Sequence, residues 1–175
     1  EVLTDSDGNL IIAAYHAVSG GATENCVDVF GQEVSYLQAV ASPGDFSAPG
    51  YLSEYTVDEK DFKNKILAEN KNVDLSGSPE KWIGKSEKTN SGTVKNIKIG
   101  GENLSGAKIR ELFGLRSANF DVSYKDGNFE FTVRGYGHGV GMSQYGAEYM
   151  AQQGADYKEI LSWYYNGAKL ENYCE

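Results

Sequence analysis

Residues 120–153 have the sequence FDVSYKDGNFEFTVRGYGHGVGMSQYGAEYMAQQ, which holds the clearest structural signals of the chain. The β-prone segments 120–124 and 129–133 flank a KDGN turn, and this pattern predicts a β-hairpin. The second strand continues into a loop over 135–141 in which every other residue is glycine. A helix is expected from about Met142 to Gln153, where Gly154 ends it. This stretch therefore predicts antiparallel strands and short helices joined by a glycine-rich loop.

The same alternation continues on both sides of this stretch. We predict a hairpin of residues 2–4 and 10–18, further strands at 36–41, 93–99 and 168–173, and an exposed loop over 42–50. Helix starts are predicted at a Thr56–Glu59 capping box, at Pro79, at Ser105 and near Asp156. The expected fold is α+β, with antiparallel β hairpins and several short helices in a single compact domain over residues 1–175.

Composition and charge exclude several classes of function. The chain has 175 residues, 40% of them hydrophobic, which is enough for a packed core. A net charge of −9 argues against nucleic acid as a partner, because phosphate binding requires clustered Lys and Arg. No apolar run approaches the roughly 20 residues of a transmembrane helix. The 12 tyrosines suit carbohydrate, since their rings offer apolar faces and their hydroxyls can form hydrogen bonds.

The two histidines of the chain each lie where a predicted strand enters a glycine-rich polar loop. The loop around His16 also contains hydroxyl, carboxylate and amide side chains. In the loop around His138 every other residue is glycine. An interior glycine costs about 0.5–1 kcal/mol relative to alanine, so we expect the alternating glycines to provide space that something else occupies. The candidate polar residues of the two loops are His16, Ser19, Thr23, Glu24, Asn25, His138, Ser143 and Gln144.

Several chemical roles for these residues remain open. Glu24 is a weak candidate for a catalytic acid, and the alternative is that it only binds backbone groups of its own loop. His16, Cys26, His138 and Cys174 are zinc-ligand types, but without the spacing of a metal motif we predict no metal and no cofactor. The two cysteines could equally form one disulfide or remain free thiols. A Cys26–His138 nucleophile pair is the least supported alternative.

Four segments resemble the stage II sporulation protein D family, which includes the amidase-enhancer proteins. They are YHAVSGGATEN at 15–25, SYLQAVASP at 35–43, LSGAKIRELFGL at 104–115 and GYGHGVGMSQYGAEYMAQQGADYKEIL at 135–161. The resemblance extends from Glu1 to about Leu170. It implies an extracytoplasmic protein, at the cell wall or the outer face of the membrane, that acts on peptidoglycan as a lytic transglycosylase. Family members cleave glycan strands stripped of stem peptides during engulfment of the forespore.

The resemblance also implies site residues and partners. Tyr36 matches a substrate-cleft tyrosine, and Gln38 replaces a basic residue that the family often carries. The histidines, hydroxyls and amides of the two loops are then expected to line or support a groove for glycan strands. Other cell-wall hydrolases of the engulfment machinery are possible partners.

One family feature has no match in this sequence. The general acid–base Glu of the family belongs to an E-M-P-like segment, which is expected before Glu1, so we expect this chain to be inactive alone. Two hypotheses follow. The chain is either the glycan-binding part of a lytic transglycosylase, or a non-catalytic wall-binding module that enhances or localises a separate amidase.

Overall fold

The computed structural model describes residues 1–172 and confirms an α+β fold. Within this range the strands are β1 Val2–Thr4, β2 Tyr15–His16, β3 Leu52–Asp58, β4 Ile83–Lys88, β5 Val94–Ile99, β6 Glu102–Ser105, β7 Phe120–Lys125, β8 Asn128–Arg134, β9 Met142–Ser143 and β10 Lys169–Glu171. The helices are α1 Cys26–Phe30, α2 Glu59–Glu69, α3 Gly106–Phe113, α4 Gln144–Gln152 and α5 Tyr157–Tyr164. Short 3-10 helices span Pro43–Ser47 and Pro79–Lys81.

The fold divides into two compact units, which is a finer organisation than the single domain expected from the sequence. We call Glu1–Tyr51 together with the chain from Gly135 onward the terminal unit, and Leu52–Arg134 the inserted unit.

The inserted unit contains the regular sheets. Strand β8 lies between β3 and β7 in one antiparallel sheet, and β5 lies between β4 and β6 in another. The rings of Phe62, Trp82 and Phe129 stack in its core, with the Phe62 and Phe129 centroids 3.8 Å apart. The predicted β7–β8 hairpin is confirmed. Asp126 and Gly127 both have positive φ, as expected for the tight turn that KDGN predicts.

Over its described residues, 1–51 and 135–172, the terminal unit contains only short strands. Strand β1 pairs antiparallel with β10, and β2 pairs parallel with β9. A hydrophobic cluster fills its interior, made of Cys26, Tyr36, Leu37, Val140, Tyr164 and Tyr165. The predicted hairpin of 2–4 and 10–18 is therefore mostly wrong. Only its turn and a single Thr4–Leu10 bridge are present, because β1 and β2 pair with other strands. The strand predicted at 36–41 is replaced by one bridge between Ala22 and Ala41. The competing partners lie far away in sequence, where local patterns carry no information.

The helix starts agree better with prediction, because capping is local. Ser105 accepts a hydrogen bond from the Lys108 amide at the start of α3, as expected. The start predicted at Thr56 is wrong: that residue belongs to β3, and Asp58 caps α2 instead. Helix α4 begins at Gln144, two residues later than expected, because Ser143 is its N-cap. Strands β3, β4 and β6 were not predicted, since polar residues interrupt their apolar pattern.

Candidate functional site

The terminal unit brings the two predicted loops side by side. We call residues 15–25 the first loop and residues 135–144 the second loop. The Val18 and Tyr136 backbones exchange two hydrogen bonds, of 3.1 and 2.7 Å, and the Glu24 amide donates to the Gly139 carbonyl at 2.8 Å. Together with the β2–β9 pairing, these bonds make the loops one continuous structure.

The alternating glycines are explained by this close packing. A Cβ atom on Gly135 would lie 2.7 Å from the Val18 carbonyl oxygen, and one on Gly137 would lie 2.7 Å from the His16 Cβ. At Gly139 it would lie 2.9 Å from the Glu24 Cγ, and all three glycines have positive φ. The expectation that something needs the space is correct, but the first loop itself fills it.

A buried carboxylate that the sequence analysis missed links the two loops. Asp45 is fully buried, and its two oxygens accept hydrogen bonds from the Ser19 amide at 3.0 Å and the Ser143 hydroxyl at 2.7 Å. The sequence predicted an exposed loop over 42–50, but the 3-10 helix Pro43–Ser47 turns Asp45 inward. No spacing rule connects this aspartate with either serine, so no sequence signal could have identified it.

His16 is buried between the loops as a neutral ring. Its Nδ1 donates to the Val140 carbonyl at 3.2 Å, and its Nε2 has no hydrogen-bond partner among the described residues. The pKa of His16 is lowered to about 4, chiefly by burial and to a smaller extent by the nearby His138, whereas the Val140 hydrogen bond and Asp45 oppose the shift. His16 is therefore uncharged at neutral pH and acts as a structural link.

His138 lies next to His16 but is partly exposed. Its Nδ1 accepts a hydrogen bond from the Val140 amide at 3.1 Å, so both histidines bind the backbone of one residue. The two imidazole centroids are 5.9 Å apart, and the centroid of the exposed Phe30 ring lies 5.2 Å from that of His138. Phe30 was not among the predicted site residues. Its exposure beside an imidazole makes it a candidate contact for a ligand.

The remaining predicted residues divide into accessible and buried ones. Gln144 is exposed, and Asn25 and Gln38 are partly exposed. Asn25 accepts a hydrogen bond from the Ala39 amide and donates one to Asp28, and Gln38 donates to the Val34 carbonyl. These amides therefore shape the loops as well as reaching solvent. The buried residues are Ser19, Thr23, Glu24, Tyr36 and Ser143.

Three of these buried residues bear directly on the expected chemistry. Tyr36 belongs to the hydrophobic cluster, and its hydroxyl accepts a hydrogen bond from the Ile12 amide at 3.0 Å. The Thr23 hydroxyl accepts one from the Val40 amide. Glu24 is only 3% exposed, whereas a general acid must contact the glycosidic oxygen. The geometry thus favours a structural role for Glu24.

The cysteine and metal alternatives rest on fewer observations. Cys26 is buried and forms no disulfide with another described residue, and burial raises the pKa of its thiol. Cys174 lies outside the described residues, so its pairing and any part in a metal site stay untested. Among residues 1–172, no three His, Cys, Asp or Glu side chains form a group that could hold a metal ion.

Comparison with known proteins finds sporulation proteins that are similar to this chain. No protein-family model matches the chain. Stage II sporulation protein D of Bacillus amyloliquefaciens is 38% identical over 161 residues, and its Bacillus subtilis counterpart is 37% identical over the same length. Each alignment covers 91% of this chain. Over nearly its whole length the chain is therefore similar to stage II sporulation protein D. The amidase enhancer of Bacillus subtilis is a more distant relative, at 27% identity over 217 residues.

The chain spans less than half the length of these relatives. The alignments cover 45% of each stage II sporulation protein D and 30% of the amidase enhancer. Within the described residues, none of the helices has the length and apolar character required to cross a membrane.

Proposed function

We propose that this chain binds peptidoglycan glycan strands in extracytoplasmic cell-wall remodelling during sporulation. The observation that carries the proposal is the similarity to stage II sporulation protein D over 91% of the chain. The two loops on which the resemblance depends are packed into one structure, which supports a shared binding surface.

We place the binding surface at the accessible part of these loops, around His138, Phe30, Asn25 and Gln144. The Phe30 ring can stack on the CH face of a sugar, and the imidazole and amide groups can bind its hydroxyl and N-acetyl groups. The buried Asp45, Ser19 and Ser143 then hold the surface in shape without contacting the glycan. Such preorganisation lowers the entropic cost of binding.

Cleavage of glycan strands is a further proposal, which concerns a full-length protein of this kind and not the described residues alone. A lytic transglycosylase needs a carboxylic acid at the glycosidic oxygen, and the burial of Glu24 argues against a place for it there. We therefore propose that the described residues supply glycan binding. A second candidate function, enhancement of a separate amidase, is favoured by the similarity to the amidase enhancer.

The test uses denuded glycan strands as the ligand. We expect the chain to bind them, and His138→Ala and Phe30→Ala to weaken binding at least about tenfold, the typical effect of losing one well-packed contact. Tyr157→Ala is the matched control, since Tyr157 is an exposed aromatic residue that contacts Glu1 and not the loops. Equal affinity of all variants for the strands would refute the placement of the binding surface around His138 and Phe30.

The same samples separate the two candidate functions. Mass analysis of the incubated strands would reveal anhydro-muramic ends if the chain were a lytic transglycosylase by itself. Such ends, if absent from a mock digest, would refute the proposal that the chain only binds, and their loss in Glu24→Gln would also contradict the structural role of Glu24. Stimulation of an added amidase without new glycan ends would support the second candidate.

A further inference from the structure

The terminal unit also has a trough whose wall contains none of the residues of the proposed binding surface. Its first part is a pocket of about 180 Å³ between the 3-10 helix Pro43–Ser47, α4 and α5. Pro43, Tyr149, Met150 and Trp163 contribute to its wall, so the surface there is mostly carbon.

The trough continues into a more polar second part. This pocket of about 230 Å³ shares Gly44 and Tyr149 with the first, so the two adjoin at the Tyr149 ring. Its wall includes Tyr145 together with the polar side chains of Glu148 and Gln152. An apolar floor next to hydroxyl, carboxylate and amide groups matches a pyranose ring, which has apolar CH faces and a polar edge.

The aromatic walls are held in place by specific contacts. Gly44 packs so closely on Tyr149 that a Cβ atom there would clash with the ring. The Trp163 indole donates to the Ala41 carbonyl at 2.8 Å, and Ser42 and Tyr164 share a hydrogen bond of 2.7 Å behind it. Tyr149 and Trp163 nevertheless remain 39% and 46% exposed. Fixed, exposed aromatic rings suit stacking, because little side-chain freedom is lost on binding.

Charge decides which ligand this trough suits. The terminal unit carries twelve of the 25 acidic residues but only two of the 16 basic residues, Lys158 and Lys169. Its formal charge is therefore −10, whereas the inserted unit is close to neutral at +1. Carboxylate-rich stem peptides and phosphate polymers are repelled by such a unit, and an uncharged sugar is not. Glu148 can accept hydrogen bonds from sugar hydroxyls.

We propose that this trough is a second saccharide-binding site, which takes an uncharged N-acetylhexosamine unit of a glycan chain by stacking on Tyr149 and Trp163. The proposal rests on the proposed glycan-binding function and adds to it a separate position and a preference for the uncharged sugar. The polar part of the trough binds the sugar edge through Glu148 and Gln152.

The test titrates the chain with chitotetraose, an uncharged oligomer of N-acetylglucosamine. Trp163 fluorescence reports binding directly, because the other tryptophan, Trp82, is buried in the inserted unit. We expect an emission change that persists in high salt and a loss of affinity of at least about tenfold in Tyr149→Ala. Glu148→Gln and Gln152→Ala should weaken binding several-fold without any risk to the hydrophobic cluster, because both side chains are exposed.

The controls separate this proposal from the function on which it rests. Tyr157→Ala should keep chitotetraose affinity, and circular dichroism should confirm that Tyr149→Ala is folded. No chitotetraose binding, or unchanged affinity in Tyr149→Ala and Gln152→Ala, would overturn the second site. If denuded strands still bind through His138 in that case, the proposed function survives. If the strands do not bind either, both proposals fail.

Discussion

The two units of this chain are stabilised by different physical means. The inserted unit relies on two antiparallel sheets and a stacked aromatic core, and only two of its polar residues, Ser117 and Asn119, are buried. The terminal unit has short strands, and the buried polar residues of its part up to residue 172 are Thr4, His16, Ser19, Thr23, Glu24, Ser42, Asp45 and Ser143. The first unit should thus respond to lost volume, and the second to lost hydrogen bonds and to protonation.

The largest effect is expected from a cavity in the inserted unit. Phe129→Ala removes a fully buried ring that stacks on Phe62 and Trp82, and should cost about 4 kcal/mol of unfolding free energy. Urea unfolding followed by Trp82 fluorescence in a Trp163→Phe background measures it. A loss below about 1 kcal/mol would mean that this core is not the stabilising feature of the unit.

The next effect lies in the polar interior of the terminal unit. Asp45→Ala leaves the Ser19 amide and the Ser143 hydroxyl without their acceptor, and should cost about 3 kcal/mol. Asp45→Asn keeps the shape and one acceptor oxygen, so it should cost less than Asp45→Ala. If urea unfolding ranks the two variants equally, hydrogen bonding by Asp45 does not organise the loops.

A pH effect should distinguish the units further. Unfolded His16 takes up a proton near pH 6.5, but folded His16 does so only near pH 4. The unfolded state therefore binds more protons as the pH falls below 6.5, and stability decreases until about pH 4. Between pH 8 and pH 5 this contribution amounts to about 2 kcal/mol. His16→Asn should abolish it and His138→Asn should not; an unchanged pH profile in His16→Asn would contradict the assignment.

The smallest effect concerns Tyr36, which the family resemblance assigns to a substrate cleft. Its hydroxyl binds the Ile12 amide inside the hydrophobic cluster, so Tyr36→Phe should cost about 1 kcal/mol. Under conditions in which the variant is fully folded, its affinity for denuded strands should stay within about twofold of that of the parent chain. A loss of binding at unchanged stability would instead place the hydroxyl in contact with the glycan.

The sequence predicted those parts of the structure that depend on near neighbours. The KDGN hairpin and the helix capped by Ser105 each follow from a few adjacent residues, and both are confirmed. The pairing of β1 with β10 joins residues more than 160 positions apart, and no local pattern predicts it. The same holds for the site: both loops were identified from composition, but Asp45 and Phe30 come to them from other segments.

The most direct test of glycan binding by the terminal unit is a titration of the isotope-labelled chain with denuded glycan strands, followed by amide NMR shifts. We expect shifts at Val140 and Asn25 and at neighbouring amides of the two loops, with the amides of Leu52–Arg134 unchanged. Shifts confined to Leu52–Arg134, or no shifts at saturating glycan, would contradict it.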